Sequence, residues 1–340
     1  MYETDSDALG MKIFVTGGTG FIGFELIKSL LGAGHQVVAL HRNGHPDLAN
    51  ASLKWANGSL LDVAALAGAM EGCEGVYHVA ALARMWHPEK DAFFTTNVTG
   101  TENVVAAAKQ AGVRKLVYTS TAGVMSYSIA TPIREDDPQL EPFDEDYPAS
   151  KYLGEQVVRK AASDSFETVV VCPPRVYGPG TYDSVNPVNK LVAGFLKRSF
   201  YFVPGNGRYA GNFAFIEDVV RGHVLAMEKG RSGHRYTTGG ENHDFVSFYQ
   251  TLERLTGKKG TRLGIPRGAM SFLATGSELF SMATGRAPFV TRAMVGKIFS
   301  NRLLSCEKAV KELGYIITPL EQGLAKTIES IKRNNGVRKK

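Results

Sequence analysis

Glycines at positions 17, 20 and 23 constrain this chain more than any other feature. They fall in 12-KIFVTGGTGFIG-23, where Ile13, Phe14 and Val15 form a short apolar run and a helical pattern continues from Phe24 to Leu31. Strand, glycine turn and helix start, in that order, make a cradle for a phosphate. The first glycine permits the tight turn, the second lets backbone approach a pyrophosphate, and the third lets helix pack on strand.

The same strand-then-helix unit recurs. Short apolar strands are expected at 36-QVVAL-40, Leu53 to Ala56, 75-GVYHVAA-81, 115-KLVYTST-121 and 168-TVVVCP-173. Helices are expected over 63–72, 98–112 (stopped by Gly112) and 148–162, the last entered through Pro148. Repeating βα units predict an α/β fold, a doubly wound parallel Rossmann sheet with a smaller C-terminal substrate lobe. The expected division is 11–173 with returning segments near 213–240 for the sheet, and 174–212 with 241–330 for the lobe. Residues 1–10 and 331–340 are read as loose termini.

Charge and cysteine usage exclude other classes. Thirty-nine Lys and Arg against 33 Asp and Glu give a net charge of +6, which suits an anionic cofactor. The only dense basic run is 332-KRNNGVRKK-340, so no nucleic-acid partner is expected. Cys73, Cys172 and Cys306 lie far apart with no CxxC pair, which fits a reducing, cytoplasmic location. No apolar run approaches the length of a spanning helix, and no membrane insertion is expected. His41 and His45 have i,i+4 spacing, but Gly44 and Pro46 oppose a helix there. The other histidines lack clustered acidic or cysteine partners, so no metal is expected.

Tyr147 and Lys151, in 147-YPASK-151, share one helix face after the fifth strand. With 13 tyrosines in the chain, a YxxxK pattern is expected about once by chance, so position decides. This pair follows 119-TST-121 by one βα unit, and strand ends of such sheets border the ligand crevice. An ammonium beside a phenol favours the phenolate, making Tyr147 a general acid or base near neutral pH. Thr121, with Ser120 as the alternate, then hydrogen-bonds the same substrate oxygen.

Together TGGTGFIG, the hydroxyl residues ending the fifth strand and YPASK resemble the extended short-chain dehydrogenase/reductase family, over roughly residues 11–330. The segments 173-PPRVYGPG-180, 216-IEDVVRGHVLAME-228 and 308-KAVKELGYIITPLEQGL-324 are similar to the same family. The nearest flavour is that of dihydroflavonol reductase-like and 3β-hydroxysteroid dehydrogenase-like members. The resemblance implies Thr121, Tyr147 and Lys151 as catalytic residues, with Tyr147 and Lys151 also at the nicotinamide ribose. It implies cofactor contacts from Gly17, Thr19, Gly20, Phe21, Ile22 and Gly23 in the fingerprint. It extends them to Val79, Ala80, Ala81, Asn97 and Thr119 along the strand ends, and to Pro173 and Val176 beside the nicotinamide.

Two positions depart from the family pattern. The end of the second strand, where an acidic residue holds the adenosine ribose of NAD, carries His41 followed by Arg42. Arg42 can pair with a 2′-phosphate, so NADP(H) is preferred and NAD(H) is the second choice. In 58-GSLLD-62, Ser59 replaces the family's acidic residue before Leu60, and both are assigned to the adenine. Met85 and Trp86 are candidates for an apolar substrate pocket, and 268–285 for its cover or for a weak bilayer contact.

The expected activity is NADP-dependent interconversion of a ketone and a secondary alcohol on a small, partly apolar substrate. A sugar-nucleotide epimerase or dehydratase with tightly held NAD, and a non-catalytic dinucleotide sensor, are the alternatives. A homodimer is expected by analogy, through helices 98–111 and 148–162, with Ala107 and Val158 facing the mate.

Overall fold

The computed structural model describes residues 10–44, 48–84, 86–89, 91–127, 131–138, 143, 145–180, 186–198 and 200–337. The expected N-terminal extension, His45 and Met85 lie outside the described residues.

The first half is built from β1 (Lys12–Thr16), α1 (Phe21–Gly32), β2 (Gln36–His41), β3 (Leu53–Asn57), α2 (Val63–Ala69), β4 (Gly75–His78), α3 (Ala92–Phe94), α4 (Gly100–Gln110), β5 (Lys115–Thr119), α5 (Asp146–Lys160) and β6 (Glu167–Val171). The second half adds β7 (Arg175–Tyr177), α6 (Pro187–Lys197), β8 (Phe200–Pro204), β9 (Ala210–Phe215), α7 (Ile216–Lys229), β10 (Arg235–Tyr236), β11 (Glu241–Asp244), α8 (Phe245–Thr256) and β12 (Thr261–Ile265). It ends with α9 (Arg267–Thr284), α10 (Arg292–Ile298), α11 (Glu307–Leu313) and α12 (Leu320–Val337).

Seven parallel strands form the central sheet in the order β10-β6-β5-β4-β1-β2-β3. Its central strands β1, β4, β5 and β6 are largely apolar because both faces are covered. Ile13 and Val15 face one core and Phe14 the other; Val117 and Leu116 divide in the same way on β5. Strand order reverses between β1 and β4, and a crevice opens at the carboxyl ends of strands flanking such a switch point. A three-stranded sheet, β11-β9-β7, and a two-stranded sheet, β12-β8, carry the later segments.

Several element bounds differ from expectation. β4 stops at His78 and β5 at Thr119, which leaves Val79 to Ala81 and Thr121 on the loops that rim the crevice. The helix expected from 98 opens with a π-helical turn over Thr95–Thr99 before α4. α12 runs to Val337, so 331–337 are helical rather than a loose end. α9 exposes Phe272, Leu279, Phe280 and Met282 while its inner face holds Ala274 and Ser281. Among the described residues no helix is long and apolar enough to cross a membrane.

Candidate active site

Gly17 ends β1 with φ of 73°, a left-handed conformation that side chains rarely adopt. A Cβ there would lie 2.6 Å from the Ala80 backbone nitrogen, so Gly17 also lets the β4 end come close. A Cβ on Gly23 would lie 2.2 Å from the Gly17 carbonyl oxygen, which makes the third glycine the contact between helix and turn. Gly20 is different: it is exposed, and a Cβ would meet only the Gly17 oxygen at 3.3 Å. As the cap of α1 it supplies no side-chain hydrogen bond, and the first turn holds no acidic residue. The first-turn amides beside exposed Thr19 and half-buried Phe21 and Ile22 therefore face an open, positively polarised site. Thr16 Oγ1 accepts the Ala80 amide at 3.1 Å, joining β1 to β4 at the switch point.

The hydroxyl candidates on the β5 end separate by their partners. Thr119 Oγ1 lies 2.8 Å from His223 Nε2, and Ser120 Oγ donates to Glu155 Oε2 at 3.0 Å; both residues are buried. Thr121 alone is hydrogen-bonded to Tyr147 through its side chain, and its oxygen is steadied by the Gly123 amide at 3.0 Å. Thr121, not Ser120, is the partner of the phenol. The Thr119 side chain belongs to a buried contact rather than to the cofactor wall expected of it.

Lys151 departs from the expected role. Its side chain is 1% exposed, and Nζ has no hydrogen-bond partner among the described residues. It lies 4.0 Å from the centroid of the Tyr118 ring. Burial pushes the ammonium down to about 7, against a smaller upward pull from Glu155. Burial pushes Tyr147 up to about 12, and only the Thr121 hydrogen bond opposes it. The expectation that Lys151 lowers the Tyr147 pKa is thus corrected for the protein as it stands: desolvation of the phenolate outweighs any neighbouring charge. Tyr147 holds its proton at neutral pH.

These features fit a nicotinamide dinucleotide. The open amides of α1 match a pyrophosphate, and an orphaned buried ammonium on α5 matches ribose hydroxyls. Half-buried Val79, Ala80 and Ala81 border the crevice. Pro173 is buried, and its carbonyl accepts the Ala122 amide at 3.0 Å, tying the loop after β6 to the loop after β5; half-buried Val176 follows on β7. His41 packs edge-on to Trp55, with ring centroids 6.2 Å apart. Exposed Arg42 lines a cleft of about 640 Å³ together with Ala81, Leu82, Arg84, Glu89 and Asp91. Ser59 Oγ accepts the Leu61 amide at 3.2 Å, while Leu60 packs beneath α4.

Asn97 does not face this space. Fully buried in the π-helical turn, it accepts the Leu82 amide at 2.8 Å and donates to Ser150 Oγ at 3.0 Å. It positions the β4 loop against α5, and the expectation of a wall-lining side chain is corrected. Two site features escaped the sequence. Arg84 follows β4 with no signal beyond its charge. Tyr118 under Lys151 follows from strand alternation, because it shares a face with Leu116, the face that α5 covers.

A dinucleotide cradle at the switch point, with an acid–base tyrosine one βα unit beyond the crevice, defines an NAD(P)-dependent oxidoreductase of the extended short-chain type. Residues 13–239 match the NAD dependent epimerase/dehydratase family, and the chain belongs to it. A dihydroflavonol 4-reductase-like protein of Synechocystis sp. is 32% identical over 97% of this chain and 97% of its own length. The 2-alkyl-3-oxoalkanoate reductase of Stenotrophomonas maltophilia is 31% identical over 92% and 97%. The sterol-4-alpha-carboxylate 3-dehydrogenase of Mus musculus is 29% identical over 96% and 92%. The crystal structure of gox2253 superposes with a TM-score of 0.80 at 28% identity, covering 96% of this chain and 99% of that one.

Proposed function

We propose that the protein is an NADPH-dependent ketone reductase acting on a small, partly apolar substrate. The observation that carries this reading is the Tyr147 phenol hydrogen-bonded to Thr121, just beyond the end of β5. A phenol that keeps its proton at neutral pH is set up to give it to a carbonyl oxygen, which is the need of reduction. The bound cofactor supplies the hydride that reaches the carbonyl carbon. Thr121 holds the carbonyl oxygen in line with the Tyr147 phenol, and Tyr147 Oη passes its proton to that oxygen as the alcohol forms. Lys151, buried without a hydrogen-bond partner, would hold the ribose hydroxyls of the cofactor.

NADPH is favoured over NADH by Arg42, exposed at the end of β2 with no ion pair among the described residues. Its guanidinium suits a 2′-phosphate, and no carboxylate stands on β2 to repel one. An epimerase or dehydratase would use the same Thr121, Tyr147 and Lys151, and the family name admits it. His41 in place of a ribose-binding carboxylate speaks against the permanently held NAD which that chemistry needs. The relatives are named reductases and dehydrogenases, which leaves a non-catalytic sensor without support.

The test is NADPH oxidation over a panel of apolar ketones by wild type and Tyr147→Phe. Turnover by wild type, and its loss in the variant with NADPH affinity kept, is the expected result. Retained turnover in Tyr147→Phe refutes the assignment.

A further inference from the structure

Beyond the crevice, the small sheet gathers two cations with no carboxylate partner among the described residues. Parallel pairing sets Arg175 of β7 opposite Phe213 of β9, and a bridge sets Arg302 opposite Gly211, two residues earlier on β9. Residues two apart on a strand share a face, so Arg175, Gly211 and Arg302 lie on one side of the sheet. The Arg175 guanidinium lies 5.5 Å from the Phe213 ring and 5.7 Å from the Phe245 ring. That of Arg302 lies 4.5 Å from the Tyr127 ring.

Gly211 is shaped for this arrangement. A Cβ there would lie 2.3 Å from Arg175 Nη1, so only glycine leaves the guanidinium its place. Neither arginine forms an ion pair with a carboxylate among the described residues; Arg302 is hydrogen-bonded to Tyr127 through its side chain, but its Nε is buried without a partner. Burial and the charge of Arg302 hold Arg175 down to about 10, and burial lowers Arg302 as well. Two half-buried guanidiniums that repel each other are costly to keep unless an anion joins them.

Their position says which anion. Tyr127 lies six residues after Thr121 on the loop leaving β5, and Arg175 lies two after Pro173 on the segment leaving β6. Both segments leave carboxyl ends of the central strands, the side of the sheet on which the crevice opens. Flat guanidinium forks match a carboxylate in bidentate fashion.

We infer that Arg175 and Arg302 form an oxyanion subsite that holds a carboxylate of the substrate, so that the ketone reduced belongs to an oxo acid. This rests on the reading of Tyr147 as the acid acting on a ketone, and it adds a second anchor that sets which carbonyl reaches Tyr147.

The probes are acetoacetate, its methyl ester and inorganic phosphate, added to the full chain with NADP+ at up to about ten times the ~1 mM upper end of common KM values. Binding is read as the rise in melting temperature. Acetoacetate is expected to stabilise wild type while the ester does not. Arg302→Met is expected to weaken acetoacetate about ten- to a hundredfold. Gly211→Ala, which displaces the Arg175 guanidinium without removing its charge, is expected to weaken it in the same direction. If Arg302→Met fails to fold, Gly211→Ala decides alone.

Equal stabilisation by the ester, no effect of acetoacetate on wild type, or unchanged binding in the folded variants overturns the subsite. Binding of phosphate but not acetoacetate overturns the carboxylate assignment. Acetoacetate binding that needs both arginines, without Tyr147-dependent reduction of any ketone, supports the subsite and refutes the reductase reading. Tyr147-dependent reduction of neutral ketones without acetoacetate binding does the reverse.

Discussion

Replacing Lys151 with Met should stabilise the cofactor-free protein while removing its chemistry. The ammonium is buried without a hydrogen-bond partner, and its pKa falls from 10.5 to about 7 on folding. At about 1.4 kcal/mol per pH unit, keeping the charged form in the fold costs about 5 kcal/mol. At pH 7 the folded group is half neutral, and the cost is about 4 kcal/mol. Between pH 7 and 10.5 the unfolded chain binds the extra proton, so wild-type stability rises with pH, by about 2 kcal/mol from pH 7 to pH 9 through this group. Met fills the same channel over the Tyr118 ring with an uncharged thioether and has no such slope. Urea unfolding of both proteins without cofactor, at pH 7 and pH 9, is the assay. The variant should be more stable at pH 7 by about 3–5 kcal/mol, with the gap narrowing at pH 9. Equal stability at pH 7, or a gap that does not narrow, would show that Lys151 carries no uncompensated charge and would undo the argument.

Three further outcomes are expected. Arg42→Ala should weaken NADPH about ten- to a hundredfold in a fluorescence titration and leave NADH unchanged; equal effects on both cofactors would show that Arg42 does not read the 2′-phosphate. Gly17→Ala, at φ 73° and against the Ala80 backbone, should cost about 1–3 kcal/mol in a denaturation midpoint and lower cofactor affinity; an unchanged midpoint would mean that the turn relaxes. A homodimer through α4 and α5 would meet its mate at Leu153, 43% exposed, and half-buried Val157, since Ala107 and Val158, expected to face the mate, are buried in the subunit core. Light scattering should give twice 36.8 kDa for wild type and 36.8 kDa for Leu153→Arg, and a wild-type particle of 36.8 kDa refutes the dimer.

What the sequence determined by itself were the features that depend on local chemistry. Gly17 and Gly23 announce a strand-turn-helix cradle because only glycine serves a left-handed turn and close backbone packing. Apolar runs broken by turns announce strands buried on both faces, and six strands of the central sheet follow them to within a few residues; β10 (Arg235–Tyr236), too short to show as a run, did not. Tyr147 and Lys151 are visible as a pair because helical spacing puts them one turn apart.

Tertiary structure decided whatever depends on partners distant in sequence. Which of Thr119, Ser120 and Thr121 meets the phenol turns on His223 and Glu155, 104 and 35 residues away from the hydroxyls they occupy. Whether Lys151 lowers the Tyr147 pKa turns on how much water reaches either group, a property of the packed loops and not of their spacing. The outward-looking Ala107 and Val158 proved inward because α2 and α5 close over α4, and helical periodicity marks an apolar stripe without saying how many neighbours cover it. Arg175 and Arg302 stand 127 residues apart, and only the pairing of β7 and the Arg302 segment with β9 puts both on one face of a sheet. Local steric and hydrogen-bonding rules act within a turn or two of chain; electrostatics and burial are sums over everything that folding brings near.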